Sequence, residues 1–227
     1  MTKKDNIKDN FAGTEPNLKL VEHKDHFITL KNKKVSVKNF GEKSALLNSY
    51  FSEYLKGYNI PCAFIKKADK NSSQILKVTD FTFRVRLLNT ADTRIAKIFS
   101  VKPGSALELP IQEYHFGDSK NSVITESHII SFNLCSYDEL KIINRLCSKI
   151  NAILKSFFER RNGSLVELTC LFGTFEGKIY LTGDFSPVSL KVVSNKPDEI
   201  LPDQYKIESF AQMKKYTDYL LKLTNGE

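Results

Sequence analysis

Long apolar runs are missing from this sequence, and their absence limits where the protein can reside. Charged residues interrupt the apolar ones throughout, so no stretch approaches the roughly 18 to 20 residues that a helix needs to span a bilayer. The first residues, Met1 to Asp5, are polar and basic, and no apolar segment follows them as it would in a secretory signal. We therefore expect no membrane span and a cytoplasmic location.

Cysteine and histidine are scarce and widely spaced. The four cysteines form no CxxC pair and have no paired histidines nearby: Cys62, Cys135, Cys147 and Cys170. Such spacing argues against a zinc site and against a disulfide framework. The four histidines show no metal-ligand spacing either. We expect reduced, mostly buried thiols, and the sequence proposes no Ser-His-Asp or Cys-His catalytic arrangement.

Basic residues are in excess, which favours anionic partners. The chain has 34 lysines and arginines against 26 acidic residues, a formal net charge of +8. Nucleotides, phosphorylated metabolites and nucleic acids all fit this charge. The lysines are scattered, so a solvated lysine-rich surface explains the charge as well. A basic nucleic-acid-binding module is the least favoured class, because no stripe of aromatic and basic residues accompanies the charge.

Hydrophobic periodicity predicts four helices. With 227 residues and 41% hydrophobic content, the chain can bury a substantial core in one unit or two small lobes. The best-marked helices cover residues 42–56 and 137–161, and Ser136 and Glu139 have the spacing of a capping box at the start of the second. Shorter helices are predicted over 92–99 and 207–223.

Strand signals lie between these helices. The predicted strands are residues 18–22, 26–30, 62–65, 75–78, 81–88, 165–172, 178–181 and 188–193, with a strand and loop over 110–122. The first two are expected to form a hairpin-like pair. Strands with interspersed helices and antiparallel neighbours predict the α+β class. We expect a flexible N-terminal segment over 1–14, an N-terminal α+β lobe over 15–85 and a C-terminal α+β lobe over 86–227.

Seven short segments follow one another in a recognisable order. They are 15–22 (EPNLKLVE), 40–44 (FGEKS), 57–61 (GYNIP), 85–86 (VR), 123–129 (VITESHI), 165–173 (LVELTCLFG) and 183–187 (GDFSP). Together they resemble, in order, the early strand, the Lys-Gly turn, the post-helix turn, the arginine strand, the glutamate-bearing turn, the Asp-Phe-Lys-Leu-Glu-Phe-Gly segment after the long helix and the Ser-Pro turn of the SAICAR synthetase (phosphoribosylaminoimidazole-succinocarboxamide synthase) family. The likeness runs over residues 15 to 223, nearly the whole chain.

The resemblance implies a fold, an activity and a set of ligands. It implies two α+β lobes with mostly antiparallel sheets and a central cleft for nucleotide and ribotide. The family's activity is the ATP-dependent ligation of aspartate to a carboxyaminoimidazole ribotide in purine biosynthesis. Such chemistry needs cations around the phosphates and carboxylates for magnesium.

Six positions match residues with roles in the family. The resemblance implies substrate binding by Arg86, Lys43, Lys191 and Glu126, and a metal ion held by Glu167 and Asp184. Each has an ordinary structural alternative: an exposed strand arginine, solvated lysines, a capping glutamate and two surface acids.

The sequence departs from the family where the chemistry is carried. Residues 1–14 contain no equivalent of the family's Gly-Lys turn near the ATP phosphates. Thr169 and Leu171 stand where the family has a lysine and a second carboxylate, and Val188 and Lys191 where it has an aspartate and an arginine. Asp92 lies in the segment that matches the phosphate-cradling Ala-Gly-Ser, which places a negative charge where a substrate phosphate would bind.

Three hypotheses follow. The chain is a SAICAR synthetase-family enzyme with strongly altered motifs, using ATP and Mg if active. Alternatively, it is a pseudoenzyme or repurposed paralogue, without a cofactor, that binds a phosphorylated small molecule, a nucleotide or a protein partner. The third hypothesis is the nucleic-acid-binding module. The sequence does not indicate an oligomeric state.

Overall fold

The computed structural model describes residues 16–29, 31–117, 122–183 and 185–225. Its elements, in chain order, are β1 Leu18–Glu22, β2 His26–Ile28, β3 Lys34–Ser36, α1 Phe40–Lys56, β4 Phe64–Asp69, β5 Ser72–Leu76, β6 Thr79–Asp80, β7 Phe83–Thr90, α2 Thr93–Phe99, β8 Ala106–Phe116, β9 Val123–Ile124, α3 Glu126–Ser131, α4 Tyr137–Glu159, β10 Gly163–Cys170, β11 Phe172–Phe175, β12 Lys178–Leu181, β13 Leu190–Ser194 and α5 Phe210–Thr224. The strands form four antiparallel sheets, in the orders β1-β5-β4, β13-β10-β7-β8-β9, β12-β11-β6 and β2-β3. The α+β class predicted from the sequence is confirmed.

The predicted hairpin between the first two strands is wrong. β1 pairs with β5, and β2 pairs with β3. The linker between them is tied to the start of α1, because the Asp25 carboxylate accepts the Gly41 amide at 2.7 Å and the Asp25 carbonyl accepts the Val37 amide at 2.8 Å. These bonds turn the chain away from β1 and towards the helix.

Helix α1 begins at Phe40, two residues before its predicted start, and its second residue occupies a position where only glycine fits. A Cβ atom on Gly41 would lie 2.0 Å from the carbonyl oxygen of His23. The close approach lets the linker pack directly on the helix start. Leu47, Phe51 and Leu55 then bury their side chains completely, and the helix ends before Gly57 as predicted.

The five-stranded sheet carries α4 on one face. The helix begins with the predicted capping box between Ser136 and Glu139. Its apolar stripe is buried against β7 and β10 and comprises Leu140, Ile143, Cys147, Ile150, Leu154, Phe157 and Phe158. The alternation along β7 sends Phe83, Val85 and Leu87 into this core. The residues between them face the opposite, more polar side, as their period predicts.

Other predicted elements are confirmed with small changes in their bounds. The strand predicted over 165–172 is divided into β10 and β11, which belong to different sheets. Helix α3 was not predicted as a helix, because only its glutamate-bearing turn stood out in the sequence. Cys62, Cys147 and Cys170 are buried, and all four thiols are free, as predicted.

The predicted boundary between the two lobes can be compared with the position of strand β7. The boundary between residues 85 and 86 falls inside this strand, and the predicted N-terminal segment over 1–14 lies outside the described residues. The exact division therefore stays a prediction. Within the described part of the chain, no helix is both long enough and apolar enough to cross a bilayer.

Candidate functional site

A cleft of about 340 Å³ lies over the polar face of the five-stranded sheet. Its floor consists of strand residues that alternate with the core residues: Arg84, Arg86, His115, Glu167, Thr169 and Lys191. Its walls come from segments on either side: Phe27, Ile28, Thr29, Pro187, Val188, Gln204, Tyr205, Ile207 and Met213. Residues that are far apart in the sequence therefore meet in one concavity with a polar floor.

Sheet register brings the floor residues together. Arg86 on β7 lies opposite Glu113 on β8 and opposite Thr169 on β10. Glu167 on β10 lies opposite Lys191 on β13. Directly opposed and diagonal side chains on one face of an antiparallel sheet lie within reach of each other. The register alone therefore assembles acids and bases from four strands.

Arg86 is held by three carboxylates. Its Nη2 donates to Glu167 Oε2 at 2.6 Å, and its Nη1 donates to Asp92 Oδ2 at 2.9 Å and to Glu113 Oε2 at 3.2 Å. The arginine side chain is 18% exposed, and the acidic side chains are 8 to 11% exposed. Each acid is thus paired in a partly dry environment, where an unpaired charge would be costly.

Two further cations complete this network. Arg94 from α2 pairs with Glu113, and Lys191 Nζ lies 3.8 Å from Glu167 Oε1. We call the six residues Arg86, Asp92, Arg94, Glu113, Glu167 and Lys191 the Arg86 cluster. It contains three cations and three carboxylates, so its charges balance.

Two aromatic side chains border the Arg86 cluster. His115 Nε2 lies 3.4 Å from Glu113 Oε2. The Lys191 ammonium lies 5.1 Å from the centre of the Tyr205 ring, within range of a cation–π interaction. Burial and then the nearby Glu167 charge raise the pKa of the Tyr205 hydroxyl, so it stays protonated.

The electrostatics favour the charged forms of Glu113 and Arg86. Burial by itself would raise the pKa of Glu113, but its hydrogen bond with His115 and the charges of Arg94 and Arg86 lower it below the ordinary value. Burial by itself would lower the pKa of Arg86. The hydrogen bonds and charges of Glu167 and Asp92 outweigh this effect and raise the pKa above its ordinary value. Glu113 and Arg86 are therefore both charged at neutral pH.

Two predicted substrate-binding residues lie away from the cleft. Lys43 is on α1 and forms an ion pair with Asp218 on α5. The Glu126 carboxylate accepts hydrogen bonds from the Tyr114 hydroxyl at 2.7 Å and from the Asn144 amide at 2.9 Å. Helix α3 is capped by Thr125 instead, so the alternative role of Glu126 as a backbone cap is wrong.

The predicted metal pair is only partly within the described residues. Glu167 is buried rather than a surface acid, and it is engaged by Arg86 and Lys191. Asp184 lies outside the described residues, so the pair with Glu167 stays a prediction. Among the described side chains, no group of three or more His, Cys, Asp or Glu could hold a metal ion.

Several residues in or beside the cleft were not singled out from the sequence. Glu113, His115 and Arg94 gave no motif signal. The pairing of β7 with β8 places Glu113 and His115 near Arg86, and helix α2 carries Arg94. Arg84 was noticed only as a polar residue of an alternating strand. That alternation was the one available signal, since it places Arg84 and Arg86 on the same face.

A family model described as SAICAR synthetase matches residues 3–208 of the chain. Among curated relatives, the phosphoribosylaminoimidazole-succinocarboxamide synthase of Clostridium novyi (strain NT) is 28% identical over 218 residues, covering 91% of this chain and 93% of the relative.

Solved structures show the same fold. The phosphoribosylaminoimidazole-succinocarboxamide synthase from Ehrlichia chaffeensis has a TM-score of 0.84 at 24% identity, covering 94% of this chain and 93% of that one. A SAICAR synthetase (Type-2) in complex with ADP has a TM-score of 0.83 at 23% identity, again covering 94% and 93%. The SAICAR synthetase-like α+β fold with mostly antiparallel sheets, which the resemblance implied, is thus confirmed. The chain belongs to the SAICAR synthetase family.

Proposed function

We propose that this protein binds a phosphorylated aminoimidazole ribotide in the cleft, and that its ligase activity is lost or strongly slowed. The family's activity would be the ATP-dependent joining of aspartate to a carboxyaminoimidazole ribotide. The observation that carries the proposed loss of chemistry is the Arg86 cluster, in which the arginine that matches the family's substrate-binding position is already engaged by three carboxylates.

The charge of the cleft supports an anionic ligand. Three cationic side chains line it, namely Arg84, Arg86 and Lys191. Because the charges of the Arg86 cluster balance, Arg84 supplies the net positive charge. The whole chain carries a formal charge of +8, which adds a long-range attraction for anions. A small anion with several oxygen acceptors, such as a ribose phosphate, fits such a lining.

The substitutions on the floor support weakened catalysis. Thr169 faces the cleft at the family's lysine position, so its hydroxyl supplies no charge to a transferring phosphoryl group. Leu171 stands at a family carboxylate position and is 40% exposed. Loss of one preorganised electrostatic contact commonly costs on the order of 100-fold in rate, and several are replaced here.

ATP and magnesium would be needed only by an active ligase. The described donor set does not fit a magnesium ion, because Glu167 is neutralised by two cations and position 171 carries no carboxylate. The proposed function therefore contains no step at a metal ion.

Thermal unfolding with and without ligands tests the proposal. We expect an aminoimidazole ribotide to raise Tm, and we expect no ADP release at ordinary rates when ATP, magnesium and aspartate are added. Lys191→Gln should reduce the shift in Tm, because it removes a cation from the floor. Lys141→Gln, on the exposed side of α4, is the matched control and should leave the shift unchanged.

Retained ligase activity is the second candidate. It is favoured by the 28% identity that extends over 91% of the chain to a curated synthase. Turnover at ordinary enzymatic rates in the ADP-release assay would establish it and would contradict the proposed loss of chemistry. Stabilisation by DNA but not by the ribotide would contradict both candidates.

A further inference from the structure

Asp92 performs two separate tasks with its two carboxylate oxygens. Oδ2 accepts a hydrogen bond from Arg86 Nη1 at 2.9 Å, and Oδ1 accepts the Ile95 amide at 2.8 Å as the N-cap of α2. Only 11% of the side chain is exposed. Because the partners are distinct, asparagine in this position would keep an oxygen for the cap while removing the charge from Arg86.

Both terminal nitrogens of Arg86 are committed to acids. A ligand phosphate that approaches this arginine must either displace a carboxylate or remain close to it. Like charges held within about 4 to 6 Å in a partly buried site repel each other strongly. The arrangement therefore opposes binding of a doubly charged phosphate.

Asp92 differs from the other two acids in what else it neutralises. Glu113 also pairs with Arg94, and Glu167 also approaches Lys191. Within the described residues, Asp92 forms an ion pair with Arg86 alone. Among the three acids of the cluster, Asp92 is therefore the one whose ion pairing involves only the cleft arginine.

We propose that Asp92 is a specificity-determining residue, an internal anion that occupies Arg86 and lowers the affinity of the cleft for doubly charged phosphate monoesters. This inference rests on the proposed function, in which the cleft takes an anionic ribotide. It predicts that the native cleft binds a phosphorylated sugar only slightly more tightly than the neutral sugar. Removal of the Asp92 charge should widen this difference in affinity.

Calorimetric titration with ribose-5-phosphate tests the inference at fixed low ionic strength, with neutral ribose titrated in parallel. The proteins are the native chain, Asp92→Asn and Asp92→Ser, both of which keep a side-chain oxygen for the cap. Asp138→Asn is the control for net charge, because Asp138 is 91% exposed and forms its ion pair on α4. Thermal unfolding of each variant establishes that it is folded.

We expect both Asp92 variants to bind ribose-5-phosphate with a Kd lower on the order of tenfold, because one like charge has been removed from a partly buried site. Ribose binding should be unchanged, and Asp138→Asn should match the native chain. If the native chain binds ribose-5-phosphate and folded Asp92 variants bind it no more tightly, the inference is wrong while the proposed function stands. If no protein in the series binds ribose-5-phosphate or the ribotide, both are wrong.

Discussion

The position of Arg86 on a partly buried strand depends on the acids around it. Its planar guanidinium spreads donors in a fixed fork, and three carboxylates from β8, β10 and the start of α2 accept from it. The pairing is reciprocal, since the acids are as buried as the arginine and need its charge. The cluster therefore acts as one structural unit.

Arg86→Met should destabilise the protein by about 3–5 kcal/mol, because it leaves three buried acids without their common partner. Arg145→Met is the matched control on the exposed face of α4 and should change stability by less than about 0.5 kcal/mol. Urea denaturation of both variants measures the difference. Equal, small effects would mean that the cluster does not stabilise the fold.

At the level of single residues, a match to a family motif did not by itself predict whether a side chain lies in the cleft. Arg86 and Lys191 were identified from the sequence and line the cleft. Lys43 was identified in the same way, yet it lies on α1 in an ion pair with Asp218. For a residue near the start of a helix, the sequence does not indicate which surface the side chain faces, because that depends on how the neighbouring helix packs.

Helix α5 packs on the outer edge of the five-stranded sheet, where its buried Tyr216 side chain bonds to the edge strand. The Tyr216 hydroxyl donates to the Leu190 carbonyl at 2.8 Å and accepts the Val192 amide at 2.8 Å. Both backbone groups belong to β13, the edge strand that also carries Lys191. An edge strand has unpaired backbone groups, and this tyrosine satisfies two of them.

Tyr216→Phe should cost about 1–3 kcal/mol of stability, because it leaves a buried amide and a buried carbonyl unsatisfied. The control is Tyr137→Phe, whose side chain is 59% exposed and which should be close to neutral. Hydrogen exchange at the Val192 amide provides a local readout and should accelerate only in Tyr216→Phe. Unchanged exchange there would contradict the role of the hydroxyl.

Helices were easier to predict than strand pairing. The apolar stripe and the capping box marked α4 because both signals lie within one continuous segment. The pairing of β1 with β5 could not be read in the same way, because about fifty residues separate them and the competing hairpin was closer in sequence. The bonds from Asp25 to the start of α1 decide between these alternatives.

The charge of the whole molecule and the charge of the cleft act in the same direction. The cleft floor carries more cationic than acidic side chains, and the chain has a formal charge of +8. Exposed lysines contribute to this field only at low ionic strength, because salt screens charges beyond a Debye length of about 10 Å at 0.1 M. Binding of an anion should therefore report on the global charge.

The Kd for ribose-5-phosphate should rise about tenfold between about 0.01 M and 1 M salt, because screening removes the long-range attraction. Titration at several salt concentrations measures it. Neutral ribose serves as the control ligand and should show little dependence on salt. A salt-independent Kd for the phosphate would mean that binding does not use the cationic floor.

The sequence by itself determined the class, the main helices and the family resemblance, because periodicity, capping and ordered motifs are local properties of the chain. It also led to the expectation that several family residues are replaced, one of them by the acid at position 92. Only the tertiary structure decided what that acid does, since Asp92, Glu113 and Glu167 reach Arg86 from separate elements through the register of β7 with β8 and β10. Contacts between distant segments depend on sheet pairing, and the free energy of that pairing is shared among many residues that no single motif records.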